Sequence, residues 1–116
     1  MKALKSLLTA ATLAVFLALG STSAVAQVSV QDNCPRLQGT IQVDDDAPNK
    51  AELARVTHER AAEIALAALP GATVQDTDLE EEDGFLVYEV DLILDRQEYE
   101  AYVDAGSGEV LCLERD

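Results

Sequence analysis

The chain has 116 residues, of which 22 are acidic and 8 basic, for a formal net charge of −14. That balance excludes a binder of nucleic-acid phosphates or of an anionic lipid surface, which it would repel, and favours cations and basic proteins as partners. The length supports one small core and no second domain.

Lys2 and Lys5 precede an uncharged apolar run from Leu7 to Gly20, followed by Ser21 to Ser23 and the small-residue ending Ala24-Val25-Ala26. This order predicts a signal peptide over residues 1–26, cleaved between Ala26 and Gln27. The run falls short of the roughly 20 apolar residues that a membrane-spanning helix needs. With no Cys at the cleavage point to carry a lipid, the expectation is a periplasmic or secreted protein without a membrane anchor. Cleavage leaves 90 residues and removes Lys2 and Lys5 but no acid, so the mature charge becomes −16. The plainest use of such acidity is solubility.

The mature chain has two cysteines, Cys34 and Cys112. Export puts them where disulfides persist, and they are expected to pair. There is no Cys-x-x-Cys spacing to make a redox site.

Residues 27–56 contain Pro35, Gly39, Pro48 and the run Asp44-Asp45-Asp46, and follow no sustained period. They predict an extended arm that Cys34 staples to the last strand, with Gln38 to Val43 able to form a short edge strand. Thr57 is a candidate N-cap, and Ala61, Ile64, Ala65 and Ala68 repeat at helical spacing, with Leu66 and Leu69 broadening the stripe. Pro70-Gly71 stops this helix, which residues 49–56 could extend upstream.

Beyond Gly71 the period becomes two. Strands are predicted from Thr73 to Leu79, Phe85 to Leu92, Gln97 to Asp104 and, briefly, Glu109 to Leu113. Turns fall at Glu80 to Gly84, at Asp95-Arg96 and at Asp104 to Gly108. The fold class expected is α+β, one N-terminal helix packed on a three- to four-stranded antiparallel meander over residues 57–116. Alternation places Leu79, Leu86, Tyr88, Val90, Leu92, Tyr99, Ala101 and Val103 under the helix. Val74, Asp76, Asp78, Phe85, Val87, Glu89, Asp91, Glu98, Glu100 and Tyr102 then fall on the outer face.

The run Ala61 to Gly71, then Leu86-Val87-Tyr88-Glu89-Val90, then Tyr99 to Val110, resembles a PepSY domain in order and spacing. The resemblance covers residues 57 to about 111 and leaves out the arm and the cysteine pair. It implies a cystatin-like two-layer fold and a non-enzymatic module. Members of the family occur in propeptides of thermolysin-type metallopeptidases, in spore-cortex regulators, in membrane reductase-like proteins and as small envelope proteins, several of them regulating or inhibiting peptidases. With no His-Glu-x-x-His helix before Asp116, any peptidase partner is expected to be a separate envelope or secreted protein.

His58 is the only histidine, which excludes a multi-histidine metal site and leaves few routes to a catalytic base. No nucleophile elbow, phosphate loop or dinucleotide fingerprint occurs, so neither an enzyme nor a cofactor is expected. Asp78, Glu80, Glu82 and Glu89 match the acids at the first, third, fifth and twelfth places of a calcium loop, but Asp83 stands where the loop needs glycine. The plainer reading is a solvated acidic hairpin tip.

Like charges opposite one another across strands destabilise a sheet. The acids of the outer face, with Phe85, Val87 and Tyr102 among them, are therefore expected to form a docking face for a basic partner. A solvated face partly covered by the arm is the competing reading. The functional expectation is a binding module that regulates another envelope protein. The alternative is a cation-binding or ion-sensing protein whose partners are divalent cations, and a third reading is a structural accessory.

Overall fold

The computed structural model describes residues 28–116; the expected signal peptide and its Ala26–Gln27 cleavage point lie outside them. In chain order the elements are β1 (Val30–Gln31), α1 (Lys50–Leu53), α2 (His58–Ala68), β2 (Thr73–Glu82), β3 (Phe85–Leu94), β4 (Gln97–Asp104) and β5 (Val110–Arg115). The sheet runs β1-β5-β4-β3-β2, antiparallel except where β1 lies parallel to β5.

Helix α2 starts where its local chemistry starts it. Thr57 is extended, and its side-chain oxygen accepts the Arg60 N–H at 3.0 Å, occupying an otherwise orphan donor of the first turn. Leu69 closes the helix by donating its N–H to the carbonyls of Ala65 and Leu66, and Gly71 then takes φ +92°. Ala61 and Ala65 are fully buried against Leu86, Tyr88, Val90, Leu92, Ala101, Val103, Ala105 and Leu113. Their small side chains bring the helix close to the sheet, and the strand alternation supplies the rest of the core.

The two central hairpins turn on two residues each. Asp83 and Gly84 have φ of 54° and 90°, and Asp95 and Arg96 have 52° and 66°, positive values that match the twist of the flanking strands. Because the first turn is this tight, β2 continues to Glu82, beyond the Leu79 expected as its end.

Three expectations need correction. The sheet has five strands and is mixed, because Val30 pairs with Leu113 on the free side of β5 and packs with Val28 on the core. The upstream residues do not lengthen α2: Ala54 is extended, at φ −68° and ψ 138°, so Lys50–Leu53 is a separate turn of helix. Val74 lies on the helix side, because a bulge between Val74 and Asp76 shifts the register and inverts the parity of the strand start.

The arm crosses the outer face of the sheet. The disulfide Cys34–Cys112 anchors it to β5, with Cα atoms 6.0 Å apart. Leu37 then donates its N–H to Asp83 Oδ2 at 2.7 Å, and Thr40 reaches Asp104. Ile41 accepts from the Leu86 N–H, and Val43 donates to the Gly84 carbonyl, both at 2.9 Å. With Gln42 bridged to Phe85, residues 41–43 prolong the sheet beside β3 where β4 has ended. The expected strand over Gln38 to Val43 is thus present only as an isolated bridge. Among the described residues no helix is long and apolar enough to cross a membrane.

Candidate functional site

The strand registers dictate the composition of the outer face. One row reads Asp76, Asp91, Glu100 and Glu114 straight across β2, β3, β4 and β5. The next reads Asp78, Glu89, Tyr102 and Cys112, and the third Glu80, Val87 and Asp104. Glu82 lies opposite Phe85 in the fourth. Directly opposed residues hold their Cβ atoms about 5 Å apart, so acids from separate strands share one small surface.

Two triads result. Glu80, Glu82 and Glu89 can bring one carboxylate oxygen each within 4.8 Å of one another, as can Glu89, Asp91 and Glu100. Glu89 belongs to both. Among the described residues the ion pairs are Arg36–Asp83, Arg60–Glu63 and Arg115–Asp32, and none neutralises a member of either triad.

Crowding without counter-charge raises the affinity of these carboxylates for protons. Burial, then the neighbouring Glu100, pushes Glu89 up to about 7. Burial and Asp76 raise Asp91, burial and Glu80 raise Glu82, and the hydrogen bond shared with Asp76 raises Asp78. Burial also raises Glu100, against the opposing effect of the Tyr102 hydroxyl, which donates to its Oε1 at 2.9 Å. Burial of its own ring, and then that contact, hold Tyr102 well above the usual phenol range.

Of the residues expected on a docking face, Asp76, Asp78 and Glu98 are exposed, and Glu89, Asp91, Glu100 and Tyr102 are half-buried. Phe85 is half-buried beside the arm, where a Cβ at Gly39 would lie 3.1 Å from its own Cβ. Val87 is fully buried. Like Leu37 and Cys112, it is buried outside the main core, so it takes no part in an accessible surface. The arm thus divides the outer face into a covered apolar part and an open acidic part.

The calcium-loop pattern is not a loop. Asp78, Glu80 and Glu82 lie on β2 and Glu89 on β3, so the acids converge across a hairpin instead of around a turn. His58 stands at the surface of the first turn of α2, its ring edge-on to Tyr88 with centroids 4.9 Å apart.

Two further residues matter here that the sequence reading had not placed on this face. Glu114 completes the first row, and its Oε2 accepts the Cys34 N–H at 2.9 Å. Asp104, fully buried, accepts from the N–H and hydroxyl of Thr40 at 3.0 and 2.7 Å, and from those of Ser107 at 2.9 and 2.7 Å. Burial alone would raise Asp104, but these four donors outweigh it and hold the carboxyl below its ordinary range.

No curated protein and no solved structure gives a significant match to the chain. Residues 55–111 match the family model described as "Peptidase propeptide and YPEB domain", PepSY. The matched segment runs from the residues just before α2 into β5. It therefore contains the helix, the hairpins and most of the acidic rows, but neither cysteine of the disulfide. The match identifies residues 55–111 of this chain as a member of the PepSY family.

Proposed function

We propose that the protein is an exported regulatory module that acts by binding a separate envelope or secreted protein, a peptidase foremost, through the open acidic part of its outer sheet face. The observation that carries this reading is the match of residues 55–111 to a peptidase-propeptide domain. The row Asp76, Asp91, Glu100 and Glu114 supports the location, because a surface that carries unneutralised like charges across four strands gains most from a partner bearing Lys and Arg. Binding rather than catalysis fits a chain with a single histidine. Pulldown from envelope extract with the wild type and with Glu89→Lys/Glu100→Lys tests it: the wild type should retain a basic partner that the double variant loses. Identical partner profiles would remove the assignment to this face.

The two triads favour a second reading, in which divalent cations bridge the carboxylates. Millimolar calcium or magnesium should then raise the melting temperature beyond ionic-strength controls. No shift beyond those controls would end that reading.

A further inference from the structure

We propose that the C-terminal half of β2 is a docking edge for an extended segment of another protein in which Lys or Arg residues alternate with apolar ones. This rests on the reading above that the module works by binding a partner, and specifies the partner's local chemistry. Three observations meet at this edge.

The first is an open backbone. β2 is the last strand of the sheet, while β5 at the other side is met by β1. The two-residue turn makes Glu82 and Phe85 a hydrogen-bonded pair, and the antiparallel alternation then points the N–H and C=O groups of Thr77, Leu79 and Glu81 away from β3. Asp76 Oδ1 accepts the Thr77 N–H at 3.0 Å, and the bulge distorts the strand just before it. The N-terminal half of the edge is thereby closed. Among the described residues, no hydrogen bond outside the sheet engages the backbone of Leu79 or Glu81.

The second is charge. Glu80 and Glu82 project from this segment on the outer face and Glu81 on the other. An acidic edge discourages two copies of the chain from pairing with each other. The same charges attract a strand that carries cations at alternate positions, so they select against self and for a basic partner.

The third is a receptacle. A cavity of about 250 Å³ lies on the helix side, its wall formed by residues that include Ala51, Ala54, Val56, His58, Leu79 and Tyr88. An added strand that placed its cations beside Asp78 and Glu80 on the outer face would turn the intervening side chain toward Leu79, where an apolar group can enter. Main-chain bonds supply affinity in strand addition, and pockets for alternate side chains supply specificity.

The test uses the purified protein and a fluorescein-labelled heptapeptide alternating Lys with Val and carrying Leu at its centre, compared with a peptide of the same composition whose lysines form one block. The alternating peptide should bind more tightly, and it should slow amide exchange at Leu79 and Glu81 without changing Glu80 and Glu82, whose amides already face β3. Glu81→Pro removes an outward donor while sparing the β2–β3 ladder, and should weaken binding by about fivefold or more. Equal affinity for the two peptides, or binding that leaves the Leu79 and Glu81 amides unprotected, overturns the edge. Because exchange is read on the wild type, the result does not depend on the proline variant folding. Binding lost in Glu89→Lys/Glu100→Lys but unchanged in Glu81→Pro overturns the edge and leaves the outer-face reading standing.

Discussion

The Thr40 hydroxyl donates to Asp104 Oδ2 at 2.7 Å, and the Thr40 N–H donates to Oδ1 of the same carboxylate at 3.0 Å, across 64 positions of sequence. Ser107 adds its own two donors to Oδ2. One buried carboxylate thus fixes the arm and the turn after β4 together. Asp104→Ala should leave four donors unmatched and cost about 2–4 kcal/mol in urea unfolding, whereas Thr40→Val, which removes one of them, should cost about 1 kcal/mol. Equal costs would mean that the carboxylate does not act as a hub.

Acidity should act on stability in two opposite directions. Glu89 has its folded value raised, to about 7, so the folded state holds a proton that the unfolded state gives up. Stability from this group is present below the unfolded value and is lost as pH rises toward about 7. The raised Asp91 and Glu100 act in the same sense. Asp104, lowered, contributes stability above its unfolded value that is lost in acid. The melting temperature should therefore be higher near about pH 5 than near about pH 8. Glu89→Gln should flatten that slope and raise the melting temperature at the higher pH by about 2–5 °C.

Cleaving the link between Cys34 and Cys112, which closes a loop of 78 positions, should cost roughly 4 kcal/mol on the chain-entropy account. Denaturant melts with and without reductant measure it. Thiol labelling of the denatured protein should find no reactive cysteine before reduction and both afterwards.

Arg96 sits at φ 66° and Asp95 at 52°, a left-handed pair in which a non-glycine second residue is unfavourable. Arg96→Gly should stabilise the domain by about 0.5–1 kcal/mol, read as a higher urea midpoint at unchanged slope.

How much of this was legible depended on the range of the interactions. Helix α2 was readable from Thr57 to Gly71 because its cap, its alanine stripe and its stop all lie within the helix itself. The inner face from Leu86 to Leu92 was readable because a tight turn and strict alternation leave one register. The bulge after Val74 carries no glycine or proline to announce it, so the parity of Val74 was read the wrong way. Strand β1 is two residues long and has no period to detect. Glu114 was missed because β5 was ended at Leu113, one residue short of the row. That Val87 is buried and Glu89 half-open depends on where the arm crosses the sheet. Its path is set by pairings such as Cys34–Cys112 and Thr40–Asp104, which connect segments far apart in the chain.

Those pairings also fix an order of events. Val30 rests on Leu113, Cys34 is joined to Cys112, and Thr40 is held by Asp104, so the first described residues to be synthesised find their partners among the last. Helix α2 and the β2–β3 hairpin can form from neighbours alone, but the arm has nowhere to settle until β4 and β5 exist. Distant pairing of this kind slows folding. An incomplete chain therefore leaves Val87 uncovered, and the arm closes over it only when the whole polypeptide is present.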